Sequence, residues 1–319
     1  MKKYFKSRSL KYILLMFLIC VVSILLKLYV FQLYYIPSIS MEDTIKKGGI
    51  IFISKLHYKT SFIEPIINSL LNKEELVQRD KIRRGDIVTF RSPFSNTMMI
   101  KRIAGTPDDL IEIKDGILWV NGNPESIEPG VKHFYKLRFS SKEHLKNAVE
   151  TFSFLPKKDI NNNNPDIIIN GRFNHAEIEA IKKVYDLEIT LLVNDTSLKS
   201  RVHQPDGTDW TEHDYGPVMI PKKGNTFLID DEFFELNAQL INKFESVRIS
   251  RKDNVFYINE TESDSYTFKE NYFFVLGDNR NQSKDSRYWW LLPEEYIEGK
   301  FIGTIVNWDE LLDNIGVEQ

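Results

Sequence analysis

Three short segments, far apart in the sequence, carry residue types that can perform hydrolytic chemistry. They are Pro37–Met41 (PSISM), Lys101–Gly105 (KRIAG) and Gly277–Arg287 (GDNRNQSKDSR). A serine hydroxyl becomes a nucleophile when a neighbouring base takes its proton. No histidine lies near Ser38 or Ser40 in the sequence, so a Ser-His-Asp triad has no support. A serine with a lysine base is the remaining hydrolytic option.

Each segment taken alone also has an ordinary structural explanation. Ser-x-Ser after a proline is often a loop or a helix cap, and a Lys-Arg pair at a strand end is usually solvated. A loop rich in Asp, Asn, Arg and Ser is usually a turn held by local hydrogen bonds. The combination of all three behind a single apolar N-terminal segment is what favours a catalytic site.

The composition narrows the classes of function. The 319-residue chain has a formal net charge of −3, without the basic excess typical of nucleic-acid binders. Its single cysteine, Cys20, excludes an internal disulfide and a thiolate zinc site, and its six histidines show no metal-ligand spacing. We therefore expect no metal, no cofactor and no nucleic-acid partner.

The N-terminal residues predict a transmembrane helix. An apolar run extends from Tyr12 to Phe31 with Lys27 as its only charge, and about 20 apolar residues match the thickness of a bilayer. Basic residues precede this run, which favours a cytoplasmic position for residues 1–11 and an outer position for everything after Phe31. These basic residues are Lys2, Lys3, Lys6, Arg8 and Lys11.

Three other interpretations of this segment remain open. A cleaved secretory signal would need a shorter apolar core and a small-residue cleavage site. A lipoprotein anchor at Cys20 would need a small residue where Ile19 stands. A buried core helix is disfavoured because the run is apolar on all faces.

The sequence around the three segments mainly predicts β-strands. Apolar runs predict strands at Ile50–Ser54, Ile87–Arg91, Thr97–Ala104 and Tyr272–Leu276. Ile111–Val120 predicts a hairpin, because the Asp-Gly pair in its middle supplies the positive φ angles of a tight turn. The predicted fold is mainly β, an N-terminal transmembrane helix followed by an antiparallel β domain with a large mixed α/β insertion.

The insertion is expected at residues 123–269, where two stretches, His175–Leu187 and Asp231–Glu245, carry apolar residues at helical spacing. Residues 32–122 and 270–319 would then form the β-rich catalytic core. We expect the insertion to be a separate lobe that supplies no catalytic group.

The three segments, in this order, resemble the serine box, the lysine box and the Gly-Asp box of type I signal peptidases, the Ser-Lys dyad family of bacterial leader peptidase. The resemblance covers roughly residues 10–122 and 271–308. It implies a single-pass serine endopeptidase of the bacterial inner membrane. Its partners would be the lipid bilayer and secretory precursor proteins, whose signal peptides it would remove after small residues, as in Ala-x-Ala.

The resemblance also implies roles for individual residues. Ser40 aligns with the nucleophile and Lys101 with the general base. Ser38 would donate its hydroxyl to the oxyanion hole, beside the backbone N–H of Ser40. Ser283 would hydrogen-bond the lysine and orient it. The supporting residues would form two pairs, Asp278 with Arg102 and Asp285 with Arg287.

Physical chemistry adds one requirement to these roles. Lysine is charged at neutral pH, so Lys101 can accept a proton only if burial lowers its pKa, and Ile100 and Ile103 supply apolar surface beside it.

The chain departs from the family pattern at positions outside the dyad, namely Asp43 for proline, Asp108 for glycine and Asn281-Gln282 for Asp-Asn.

Two other functions stay open at this point. A self-cleaving Ser-Lys repressor would also bind DNA, which the membrane segment and the mild acidity disfavour. A membrane-anchored scaffold with a decayed site is disfavoured by the presence of Ser40, Lys101 and Ser283.

Overall fold

The computed structural model describes residues 2–42, 44–55, 58, 81–92, 95–125, 130–156, 167–192, 202–205 and 208–307. The helices are α1 (Lys2–Tyr29), α2 (Lys142–Thr151), α3 (His175–Lys182), α4 (Asp231–Phe244) and α5 (Ser286–Trp289). The strands are β1 (Phe31–Tyr35), β2 (Gly49–Ser54), β3 (Ile87–Arg91), β4 (Met98–Gly105), β5 (Leu110–Lys114), β6 (Ile117–Val120), β7 (Asn123–Pro124), β8 (Lys132–Phe139), β9 (Ile168–Asn174), β10 (Leu187–Leu191), β11 (Tyr215–Met219), β12 (Thr226–Leu228), β13 (Ile249–Lys252), β14 (Val255–Ile258), β15 (Thr261–Glu262), β16 (Ser265–Thr267), β17 (Tyr272–Leu276), β18 (Leu292–Pro293) and β19 (Ile297–Asn307).

The N-terminal helix α1 is followed at once by the first strand. The predicted span ended at Phe31, but Phe31 already belongs to β1 and pairs with Ser54 of β2. The large apolar side chains of α1 between Tyr12 and Leu26 are mostly exposed. Within the described part of the chain, no helix combines the length and the apolarity needed to cross a membrane, so the predicted transmembrane helix is not confirmed.

A seven-stranded sheet forms the centre of the fold, in the order β1-β2-β19-β3-β4-β17-β18. All its neighbouring strands are antiparallel. The prediction of a mainly β, antiparallel fold is therefore confirmed. All seven strands lie outside residues 123–269.

Strand β17 shows why the apolar runs of this sheet do not alternate with polar residues. All five of its residues are buried. Tyr272, Phe274 and Leu276 pack into the main hydrophobic cluster with β5 and β6. Phe273 and Val275 pack on the opposite face, in a cluster with residues of β3. Because both faces are covered, a continuous apolar run is stable as a strand here.

The predicted hairpin is present as β5 and β6. Lys114 pairs with Ile117, and the turn residues Asp115 and Gly116 have φ angles of 50° and 75°. Asp108 also has a positive φ, 72°, and its carboxylate lies 2.7 Å from Nζ of Lys222. This left-handed conformation gives a physical reason for glycine at that position in the family, and aspartate is one of the residues that tolerate it.

The first half of the predicted insertion has a hydrophobic core of its own. Strands β10, β8 and β9 form an antiparallel sheet that packs with α2 and α3 around buried residues including Leu137, Ile169 and Ile181. Helix α3 starts as predicted, with a capping box between Asn174 and Glu177. It ends at Lys182 rather than Leu187, because residues 187–191 pair with β8 as a strand.

The second half packs into the main core instead. Helix α4, which the sequence predicted within one residue, contributes Leu236, Leu240 and Ile241 to the same cluster as β5, β6 and β17. The two halves of the insertion thus bury their apolar residues in different clusters. Its boundaries remain a prediction.

Candidate active site

Ser40 lies in the turn between β1 and β2, at the end of the sheet. Two backbone hydrogen bonds close the turn, from the N–H of Ile36 to the oxygen of Gly49 at 2.9 Å and from the N–H of Gly48 to the oxygen of Ile36 at 2.8 Å. The Ser40 side chain is buried, with 7% of its surface exposed. Its main-chain oxygen accepts a hydrogen bond from the N–H of Asn279 at 3.1 Å. The segment that carries the serine is therefore tied to the third sequence segment.

Lys101 lies in the middle of β4, between β3 and β17. It pairs with Val88 across the sheet and is 4% exposed. Its Nζ donates hydrogen bonds to Oγ of Ser40 at 2.8 Å and to the main-chain oxygen of Ile100 at 2.9 Å. The structure thus brings together the two residues that the sequence predicted as nucleophile and base.

Burial lowers the pKa of Lys101 from 10.5 to about 8. The negative charges of Asp285 and Asp278 oppose this effect and the positive charge of Arg287 adds to it. Desolvation dominates because the ammonium group has little contact with water in this position. A sizeable fraction of the Lys101 side chains is therefore neutral at moderately alkaline pH, as a proton acceptor must be.

Arg102 and Asp278 form the first of the two predicted pairs. Nε and Nη2 of Arg102 donate to the two carboxylate oxygens of Asp278 at 2.8 and 2.7 Å. Nη1 of Arg102 donates to the main-chain oxygen of Gly85, and Thr44 donates its hydroxyl to Asp278. This bidentate pair, confirmed here, joins the strand of Lys101 to the segment Gly277–Arg287, hereafter the Asp278 loop.

Asp285 and Arg287 form the second predicted pair, which is also confirmed. Nε and Nη2 of Arg287 donate to the two carboxylate oxygens of Asp285 at 2.8 and 2.9 Å. Both side chains are almost completely buried. Burial alone would raise the pKa of Asp285, but the charge and hydrogen bonds of Arg287, the N–H of Gly277 and the Ser283 side chain together lower it. The pair therefore places one fixed negative and one fixed positive charge near Lys101.

The two remaining candidates have different positions. Ser38 is exposed, and its Oγ lies 3.4 Å from Oγ of Ser40. Ser283 is buried, and among the described residues the predicted hydrogen bond from its Oγ to Lys101 is absent. The hydroxyl instead packs against Gly277, where an added Cβ would lie only 2.2 Å from Ser283 Oγ.

A cleft of about 440 Å³ opens beside the Ser40–Lys101 pair. Most of the surface that lines it is apolar, although several lining residues carry polar groups. The lining residues are Tyr34, Tyr35, Ile36, Pro37, Ser38, Ser40, Ile51, Thr89, Thr97, Met98, Met99, Ile100, Lys101, Gln282 and Lys284. Ser40 and Lys101 therefore border a mostly apolar cleft.

Several residues that support the site were not predicted. Thr44 lies shortly after the segment Pro37–Met41, and Asn279 lies within Gly277–Arg287. Their closeness in sequence to Ser40 and Asp278 could have indicated that they support the site. Glu125 carried no signal at all, although both of its carboxylate oxygens lie 2.9 Å from Nη2 of Arg280. Asp43, one of the departures from the family pattern, lies outside the described residues.

Comparison with known proteins agrees with this geometry. Residues 9–306 match the family described as "Signal peptidase, peptidase S26". Signal peptidase I of Buchnera aphidicola subsp. Baizongia pistaciae is 24% identical over 306 residues, covering 94% of this chain and 78% of that protein. Signal peptidase I of Aquifex aeolicus is 24% identical over 296 residues, covering 91% and 81%.

Among solved structures, a signal peptidase I from Enterococcus faecalis matches 70% of this chain and 98% of its own, with 18% identity and a TM-score of 0.26. The assignment therefore depends on the family match, which extends over nearly the whole chain and includes Ser40, Lys101 and the Asp278 loop. The chain belongs to the peptidase S26 family of signal peptidases, which are serine endopeptidases.

Proposed function

We propose that this chain removes N-terminal signal peptides from exported precursor proteins, with Ser40 as nucleophile and Lys101 as general base. The observation that carries the proposal is the buried 2.8 Å hydrogen bond between Lys101 Nζ and Ser40 Oγ. The names of the relatives support the substrate class, since both are called signal peptidase I. No histidine is needed for the reaction.

In the proposed reaction, the neutral amine of Lys101 takes the proton of Ser40 Oγ as this oxygen attacks the scissile carbonyl. The resulting ammonium group then protonates the leaving amine. The regenerated amine deprotonates a water molecule, which hydrolyses the acyl-enzyme. The Ser38 hydroxyl and the backbone N–H of Ser40 are proposed to stabilise the oxyanion, a role that the closeness of Ser38 to Ser40 supports.

The decisive test is cleavage of a membrane-inserted precursor by the full-length chain in detergent. Lys101→Arg should be as inactive as Ser40→Ala, because a guanidinium cannot be deprotonated in a protein. Lys222→Arg is the matched control, since Lys222 is an exposed residue paired with Asp108. Near-normal cleavage by folded Lys101→Arg would show that this lysine supplies charge or packing, and the proposed reaction would be wrong.

We also propose that the enzyme cleaves after small residues. The support is the resemblance to type I signal peptidases, together with the mostly apolar cleft beside Ser40 that Ile36, Ile51 and Ile100 help to line. Replacing the final alanine of an Ala-x-Ala precursor by phenylalanine should abolish processing. Undiminished cleavage of the phenylalanine precursor would contradict this specificity.

We propose further that α1 holds the chain in the bacterial cell membrane, with residues 1–11 in the cytoplasm and the catalytic domain outside. The basic residues before Tyr12 and the exposed apolar side chains of α1 support this topology. Protease added to spheroplasts should digest a C-terminal tag. A tag that is protected until the membrane is permeabilised would exclude the proposed orientation.

The proposed domain organisation places residues 32–122 and 270–319 in the peptidase core and residues 123–269 in an insertion. The seven-stranded sheet supports this division, because its strands come from outside the insertion.

A further inference from the structure

The segment proposed as an insertion contacts the Asp278 loop directly. These contacts fall at both ends of the loop. They include the hydrogen bonds from Lys132 N to Asp278 O at 2.9 Å, from Arg172 Nη1 to Asn279 Oδ1 at 3.4 Å, and from Arg287 Nη1 to Glu212 O at 3.2 Å. The loop that borders the dyad therefore has part of its support in residues 123–269.

A further contact with the Asp278 loop is the buried ion pair between Glu125 and Arg280. Both carboxylate oxygens of Glu125 lie 2.9 Å from Nη2 of Arg280. The two side chains are only 13% and 5% exposed, respectively. A pair with so little solvent is barely screened, and removing one partner leaves an uncompensated charge in the interior.

Arg280 connects Glu125 to the charged groups around the dyad. Its Nε donates to the main-chain oxygen of Gly277 at 3.1 Å. Its own main-chain oxygen accepts a hydrogen bond of 2.6 Å from Nη2 of Arg287, which in turn holds Asp285. A displacement of Arg280 would therefore move an acceptor of Arg287 and open the loop beside Lys101.

We propose that Glu125 is a positioning residue, which holds the Asp278 loop through Arg280 in the conformation that keeps the Ser40–Lys101 pair buried and correctly charged. This inference rests on the proposed function. Glu125 touches neither Ser40 nor Lys101, so it acts only through the loop.

The expected consequence is a change in the pH dependence of cleavage. The groups that face Lys101 Nζ are Ser40 Oγ and Ile100 O, with the charges of Asp285, Asp278 and Arg287 nearby. When the loop opens, water reaches Lys101 and its pKa returns towards its ordinary value, because burial is the main cause of the lowering. If the pKa of Lys101 rises by about one, the fraction of Lys101 side chains that are neutral at pH 7 falls about tenfold.

The test compares Glu125→Gln with Glu179→Gln in the full-length chain. Glu179 is a matched control, because it forms an exposed 2.9 Å pair with Lys182 in the same insertion. kcat/KM for a synthetic precursor peptide is measured between about pH 6 and pH 10. We expect the midpoint of the Glu125→Gln profile to move upward, with kcat falling more than KM rises, while Glu179→Gln retains the wild-type profile.

A purely structural role for Glu125 would lower activity in proportion to the folded fraction and leave the midpoint in place, so an unchanged midpoint overturns the inference. If Glu125→Gln does not fold, Glu125→Asp decides the question, since it keeps the charge but withdraws the carboxylate by one methylene. A displaced midpoint in Glu125→Asp supports the inference, and a wild-type midpoint overturns it. Absence of activity in the wild-type chain would instead contradict the proposed function.

Discussion

The pH dependence of cleavage is the sharpest consequence of the buried lysine. Burial lowers the pKa of Lys101 from 10.5 to about 8, which corresponds to about 3 kcal/mol of destabilisation of the charged form. At pH 7 about one Lys101 side chain in ten is then neutral, against about three in ten thousand for an ordinary lysine. If the neutral amine is the base, kcat/KM should rise about tenfold between pH 7 and pH 9 and then level off.

The assay is cleavage of a synthetic precursor peptide at subsaturating concentration across this pH range, with folding followed by circular dichroism at each pH. Ser40→Ala measures the background rate. An unshifted lysine would instead give a rise of about a hundredfold over the same interval, without a plateau. Either that steeper rise or a flat profile would refute the link between the burial of Lys101 and its role as base.

Two further predictions concern the stability and geometry of the site. Gly277→Ala should lower kcat/KM at least about tenfold, because the new methyl group would meet Ser283 Oγ at 2.2 Å, whereas Gly303→Ala, with no atom within 4 Å, should retain activity. Equal activity of the two variants would contradict this packing argument. Lys101→Met should raise the free energy of unfolding at pH 7 by up to about 3 kcal/mol, because the folded wild-type protein bears the full cost of the lowered pKa below pH 8. Between pH 8 and pH 10.5 Lys101 stays charged only in the unfolded chain, so the stability of the wild-type protein rises and the advantage of the methionine variant should shrink. Denaturant unfolding of both proteins at pH 7 and pH 10 measures this advantage. A stability difference between the two proteins that does not change with pH would contradict the reasoning.

The contacts of residues 123–269 with the rest of the protein make deletion of the whole insertion an uninformative experiment. The sequence predicts residues 123–269 as a separate lobe, because two amphipathic segments could bury their own small core and no signature residue falls within them. The structure places Glu125 and Lys132 against the Asp278 loop and Leu240 in the main core. Exchanging the whole segment for a linker would remove these contacts together, so single substitutions such as Glu125→Gln are the more informative experiment.

The local elements of the core were predictable from the sequence because their causes are local. Tyr272–Leu276 and Ile87–Arg91 are strands over the predicted residues, since short apolar runs bounded by turn residues favour strands. The turn at Asp115-Gly116 follows from the ease with which both residues adopt positive φ angles. The end of α3 was not predictable, because pairing with β8 turns residues 187–191 into a strand.

The sequence by itself determined which residues are chemically able to act. It identified Ser40 and Lys101, and it predicted the partners in two ion pairs, because those residue types in those segments resemble one family. Whether Lys101 can serve as a base was decided by the tertiary structure alone. Its pKa depends on burial and on charges from Asp285, Asp278 and Arg287, which lie far from it in sequence. The tertiary structure also decided that Ser283 makes no hydrogen bond to Lys101 and that Glu125 pairs with Arg280. Contacts between such distant segments depend on how the whole sheet and its insertion pack.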